Sequence, residues 1–283
     1  SATFTNFMKL VVCSRSDKAS MNIMNHLLSF DSFEKRMHGD FTFHIGDLFS
    51  IVEINERLIY ADFIDKRLSE FLDFEEIIFA SRHSSKDCRK ILTAHVSGNP
   101  RKNEFGGKPR SLAKPSPITL KNYFLALQKR VLRVPEFEIS LEATHHGPSE
   151  IEKPSAFYEI GSTEQEWLNK TAGEVVAESI YEAIKSDRRD WKIAVGVGGT
   201  HYVPRQTEII LETQFTFGHN FAKYTFEELD EEMILKAIRL SDADYLIYDE
   251  KSVTSKIKEL IKSISGVEVL KTRDAKKFRL QVP

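Results

Sequence analysis

Cysteine is nearly absent: Cys13 and Cys88 are the only two, far apart and in no metal or redox spacing. That excludes a disulfide framework and points to a reducing compartment. Long apolar runs are missing as well. Stretches such as 10–13 and 77–80 fall far below the roughly 18 residues a membrane span needs. Residues 1–7 lack the basic flank and apolar stretch of a signal peptide. They read as an expression remnant or frayed extension, with the fold beginning near Met8. Nor is there an excess of one charge: 40 Lys and Arg face 42 Asp and Glu, so no overall field draws in nucleic acid and any such surface must be local. Several catalytic signatures are also absent. The chain has no H-E-x-x-H, no G-x-S-x-G and no phosphate loop, which removes the standard zincin, serine-hydrolase and nucleotide-phosphate readings.

What is present is a globular composition, 41% hydrophobic, enough for one large core or two modest ones. Short apolar runs alternate with amphipathic ones, the pattern of an α/β fold with a mixed, largely parallel central sheet flanked by helices. Strands are expected at 9–13, 76–80, 90–94, 138–143, 157–160, 191–197, 245–248 and 267–270, with a hairpin at 41–54. Helices are expected from the cap candidates Ser16 and Asp17 to about 30, over 120–132, over 252–264, and ahead of 240 from Thr225 and Glu228. Another runs from Thr163 and Glu166, spaced as a capping box, to 184. Residues 8–283 read as a single α/β catalytic domain. Its one compositional break is a basic, Gly/Pro-rich loop at 97–117, a length that in a compact domain marks function or disorder.

The histidines carry the chemistry. His83, His95, His145, His146 and His201 recur just after expected strands, where ligands bind in open α/β sheets, and neutral imidazole is a common zinc ligand. Any one alone reads as a surface or hydrogen-bonded residue; five together suggest a site. In Glu142-Ala143-Thr144-His145-His146-Gly147-Pro148, neighbouring histidines on a regular strand would face opposite ways, but a Gly-Pro turn can aim both inward. Glu142 is open to three roles: ligand, anchor of a ligand, or general base. His145 and Thr144 join it as catalytic candidates. Gly198, Gly199 and Thr200, ahead of His201, could bring bare backbone to a ligand or simply turn the chain. Ser97, Asn99 and Thr200 could hold substrate or satisfy loop backbone. From 97 to 133 there are nine Lys and Arg against the single acid Glu104. Of these, Arg101, Lys102 and Lys108 suit the phosphates of an RNA end, with a solvated loop as the plain alternative.

The stretches TAHVSGN (93–99), EATHHGPSE (142–150), GVGGTHYVPR (196–205) and FGHNFAKY (217–224) together resemble the D-aminoacyl-tRNA deacylase family of archaea and plants. The resemblance implies a fold similar to peptidyl-tRNA hydrolase and purine nucleoside phosphorylase. It also implies an enzyme dependent on one or two Zn2+ ions that hydrolyses the ester of D-aminoacyl-tRNA, releasing the free D-amino acid and tRNA. The roles of individual residues are hypotheses from spacing and chemistry: the five histidines as zinc ligands, Glu142 as base to a zinc-activated water, and metal or glycine-turn N–H groups for the oxyanion. Aminoacyl-tRNA is then the partner, the cytoplasm the expected location, and no membrane or obligate protein partner is implied. The alternatives are a phosphorylase-like or peptidyl-tRNA hydrolase-like enzyme on the same fold, and a nucleic-acid-binding module with a structural metal. A magnesium nuclease is disfavoured by the lack of an acidic cluster.

Overall fold

The computed structural model describes residues 8–281, so the reading of 1–7 lies outside the described residues. The chain enters as β1 (Lys9–Ser14), whose residues after Lys9 are all buried. Of the two cap candidates, Asp17 caps α1 (Lys18–Leu27), accepting from the Ser20 N–H. β2 (Glu34–His38), β3 (Phe41–Ile45) and β4 (Phe49–Ile54) form an antiparallel meander. The expected β3–β4 hairpin is present. β2 was not anticipated, because its five residues are all exposed and carry no apolar alternation to read.

After α2 (Ile64–Ser69) come β5 (Glu76–Arg82) and β6 (Ile91–His95), then a two-stranded ribbon of β7 (Gly98–Asn99) and β8 (Ser111–Leu112) inside the basic loop. α3 (Pro117–Arg130), β9 (Glu138–Leu141) and β10 (Ser155–Gly161) follow. The large sheet has the order β2-β3-β4-β1-β5-β10-β6-β9. β1, β4, β5 and β10 run parallel, while β6 and β9, parallel to each other, run against β10. The helical run expected from Thr163 divides in two. The Thr163–Glu166 capping box starts only the single turn α4 (Glu164–Trp167), and Asn169 caps α5 (Lys170–Lys185).

The remaining strands form a second sheet rather than extending the first. β11 (Lys192–Val197), β12 (Phe215–Phe221), β13 (Tyr245–Tyr248) and β14 (Glu268–Lys271) pair in parallel in the order β12-β11-β13-β14. Helices α6 (Pro204–Glu212), α7 (Glu231–Ser241) and α8 (Ser255–Ser263) flank it. α7 is capped by Asp230, which accepts from the Met233 N–H; the Thr225–Glu228 pair falls at a short 3-10 turn instead.

One apolar cluster joins the two sheets, running from Val11 and Ile78 through Val176 and Ile180 of α5 to Ala194, Phe215 and Phe217. Each large aliphatic side chain sealed there contributes roughly 1.5–3 kcal/mol. Two further clusters line the outer faces, one under α2 and one under α7 and α8. The sheets are also stitched by backbone just after β9, where the Ala143 N–H donates to His201 O at 2.8 Å and the Thr144 N–H to Asn220 O at 2.9 Å. Among the described residues, no helix is long and apolar enough to cross a membrane.

Candidate functional site

The stitched segment carries the centre of the site. His146 adopts a left-handed backbone, φ 45°, uncommon for a residue with a side chain. This turn puts His145 and His146 on the same side, ring centroids 4.4 Å apart. Each ring is fixed by a short bond from Nδ1 to a main-chain carbonyl: His145 to Ala143 O at 2.7 Å, His146 to Gly147 O at 2.6 Å. With Nδ1 donating, each Nε2 keeps its lone pair and faces inward. A carbonyl on the far nitrogen is the usual way a metal-binding imidazole is oriented.

Around this pair, His95 ends β6, His83 follows β5, and His201 lies on the loop after β11. Glu142 is their common neighbour. Its Oε1 lies 2.8 Å from His201 Nε2 and 3.2 Å from His83 Nδ1, and its Oε2 lies 3.2 Å from His95 Nδ1. The outer nitrogens of His83 and His201 meet tyrosine hydroxyls, Tyr202 at 3.0 Å and Tyr224 at 3.1 Å. His95 Nδ1 also lies 3.0 Å from Glu159 on β10. Glu159 was not anticipated, although the signal was there: it is the single acid in an otherwise apolar or small-residue strand that is buried throughout.

The electrostatics divide the histidines into two kinds. Burial, reinforced by the nearby His95, holds His145 well below the usual imidazole range and His146 at about 3, so both are neutral near pH 7. Burial opposes charge on His95 too, but Glu159 and Glu142 outweigh it and raise the group to about 9. Burial would likewise push Glu142 up, yet His83 and His95 hold its carboxyl well below the ordinary range. Burial raises Glu159.

The donor set fits a metal ion. Three overlapping groups each bring their ligand atoms within 4.8 Å of one another: His95, His145 and His146; Glu142, His145 and His201; His83, Glu142 and Glu159. His95 Nδ1 lies against the carboxylates of Glu142 and Glu159, which leaves its Nε2 turned towards the other histidines, the way a carboxylate orients a metal-binding imidazole. His95 Nε2 and His146 Nε2 are 3.2 Å apart, close to the roughly 3.3 Å that two nitrogens span across a tetrahedral zinc.

The other candidates occupy different surroundings. Thr144 is buried beside the histidines and lines a cleft with them, its hydroxyl 3.0 Å from His219 Nδ1 and accepting from the Asn220 N–H. Ser97 donates to Pro148 O, and Asn99 Nδ2 donates to Gly106 O and Lys108 O, so both side chains tie down the basic loop. The Gly198 N–H donates to Phe221 O and the Gly199 N–H to Ser252 Oγ. A Cβ on Gly198 would come 2.6 Å from Ser252 Oγ. The glycine turn therefore packs on the chain after β13 and delivers His201, while Thr200 is exposed beside it.

Two clefts meet at the cluster and share His145, His146, His201 and Phe105. One, about 710 Å³, is also lined by Asp17, Arg57, Arg82, His83 and Glu159. The other, about 270 Å³, includes Arg101, Lys102 and Tyr224. Lys108 stands apart, its ammonium 5.5 Å above the Phe63 ring. Arg101 and Lys102 share the exposed Glu104 at 3.9 and 3.4 Å; elsewhere in the basic stretch Arg110 and Lys114 pair with Asp230 and Asp242, Lys121 is buried, and Lys129, Arg130 and Arg133 pair with Glu174, Glu178 and Glu182 of α5.

A model of the family described as D-aminoacyl-tRNA deacylase matches residues 70–272. The chain is 62% identical to the D-aminoacyl-tRNA deacylase of Archaeoglobus fulgidus over 277 residues, covering 96% of this chain and 100% of that protein. With the protein of the same name from Pyrococcus horikoshii it shares 39% identity over 277 residues, covering 93% of this chain and 100% of that one. A crystal structure of a conserved protein of unknown function superposes with a TM-score of 0.96 at 61% identity, covering 98% of this chain and 100% of the other.

Proposed function

Because the chain belongs to the D-aminoacyl-tRNA deacylase family, we propose that it hydrolyses the ester joining a D-amino acid to the terminal ribose of tRNA, releasing both, with the help of one or two zinc ions. The observation that supports this most directly is the convergence of five histidines and Glu142 where two clefts meet. An ester is already activated compared with an amide, so its hydrolysis needs chiefly an oriented water and a place for negative charge. Zinc, when bound, supplies a Lewis acid that makes a water easier to deprotonate and steadies charge on the carbonyl oxygen.

The chain's own residues supply the rest. His145 has one free nitrogen, Nε2, so it would complete either the His95–His146 group or the Glu142–His201 group around an ion, with His83 and Glu159 at the edge of the set. Ala143 O and Gly147 O keep the His145 and His146 rings turned inward. Glu142, held ionised by His83 and His95, accepts the proton of the attacking water. The Gly198 and Gly199 N–H groups are engaged within the fold, so the turn serves by placing His201 rather than by binding the oxyanion. Arg101 and Lys102, at the mouth of the smaller cleft, would meet tRNA phosphates. Such an activity belongs where tRNA is charged, the cytoplasm.

The test is release of D-tyrosine and L-tyrosine from charged tRNA, before chelation, after chelation and after zinc is restored. D-selective release that chelation abolishes and zinc recovers is expected. A folded, zinc-loaded protein that releases neither amino acid would refute the proposal.

A further inference from the structure

Phe105 is 58% exposed and, among the described residues, its ring has no aromatic or cationic partner. A single exposed aromatic is ordinary, but this one is held in place. The Gly147 N–H donates to Phe105 O at 2.8 Å. The next residue, Gly106, has φ 76° and approaches Ile59 so closely that a Cβ would lie 2.0 Å from Ile59 O. Asn99 Nδ2 clasps Gly106 O at 2.9 Å. The backbone is thus pinned at Phe105 and Gly106, and Phe105 lies on the boundary shared by the two clefts. Tyr224, the other aromatic there, is already occupied: Arg101 lies 5.2 Å over its ring and His201 stacks on it at 6.0 Å.

We infer that Phe105 is the platform on which the terminal adenine of tRNA stacks, which rests on the deacylase reading above. The ester to be cut is carried by the ribose of that same nucleotide, so once the ester carbon reaches the histidines the base lies one sugar away. A ring at the junction of the clefts is suitably placed, and Arg101 and Lys102 flank it for the phosphate on the other side of the ribose. Stacking is tolerant of sequence and needs only an aromatic face. It positions the nucleotide identically for either enantiomer, leaving discrimination to the other arm of the substrate.

The experiment is a binding cycle with the zinc-loaded full chain, using uncharged tRNA and the same tRNA trimmed of its terminal adenosine. The wild type should bind the trimmed tRNA roughly 5- to 100-fold more weakly. Phe105→Ala should bind both forms alike, at the weaker level, and Phe105→Trp should restore the preference. An alanine variant that discriminates as well as the wild type, or a wild type indifferent to trimming, overturns the inference. So does a Phe105→Ala defect in D-tyrosyl release that vanishes with D-alanyl-tRNA, since the ring would then be serving the amino-acid side chain. Failure of the deacylase reading itself is distinct: the trimming preference would persist in a wild type that releases no amino acid.

Discussion

His145 shows how much rests on one imidazole. It belongs to two of the three ligand groups, and its Nδ1 bond to Ala143 O aims the other nitrogen at the cluster. His145→Ala should therefore lower kcat by on the order of 100-fold or more while leaving tRNA affinity within about twofold, measured by single-turnover release alongside filter binding. An unaltered kcat would remove His145 from the site. A different residue predicts pH-dependent stability. Glu76 accepts from the Thr119 hydroxyl at 2.9 Å, but its Oε2 is sealed without a partner, and burial, partly offset by Lys9, raises the carboxyl from 4.5 to about 7. Below about pH 4.5 the folded and unfolded chains both carry the proton. Between there and about 7 the unfolded chain releases it while the folded one retains it, so this group's contribution to stability falls as pH rises. Glu76→Gln should flatten that slope, gaining at most about 3 kcal/mol over the wild type on going from pH 4.5 to 7.5. Urea titrations at the two pH values measure it, and an equal difference at both would contradict it.

At the scale of elements, the basic stretch is two things. Within the loop Arg101 and Lys102 reach the smaller cleft, whereas Lys129 and Arg130 at the end of α3, with Arg133 just beyond it, form a ladder of ion pairs with α5. Replacing Arg101, Lys102 and Lys108 with Ala should therefore reduce the salt dependence of tRNA binding by roughly one to three units of log–log slope; Arg133→Ala should not. Equal slopes for wild type and triple variant would rule the loop out as an RNA contact. Sequence could not separate the two parts, because the acids that neutralise α3 lie on α5, far along the chain. Legibility elsewhere followed the same rule. Strands with a continuous apolar run, such as β1, β5 and β11, were readable. Unread were β2, which buries nothing; β12, where Gly218, His219 and Asn220 break the apolar pattern; and α6, opened by Pro204 after a left-handed Val203. At the site, the five histidines and Glu142 stood out by residue type. Glu159, Tyr202 and Tyr224 did not, because their value lies in what they touch.

The whole molecule explains why metal should matter more to chemistry than to folding. Three apolar clusters hold the sheets and helices, and none is built on the histidines. After chelation the far-UV circular dichroism and cooperative unfolding should persist, at a somewhat lower Tm, while release activity is lost. Loss of the fold itself would instead indicate a structural metal. The stitch after β9 has a consequence in time. His83, His95 and Glu142 arrive on the large sheet, His201 on the small one, and His145 and His146 on the backbone that bonds the two. The six are spread over residues 83–201, a span of 119 residues, and contacts between residues so far apart in sequence form slowly. During refolding, the complete site should therefore appear only after both sheets have formed and joined, so recovery of release activity should lag recovery of the far-UV circular dichroism.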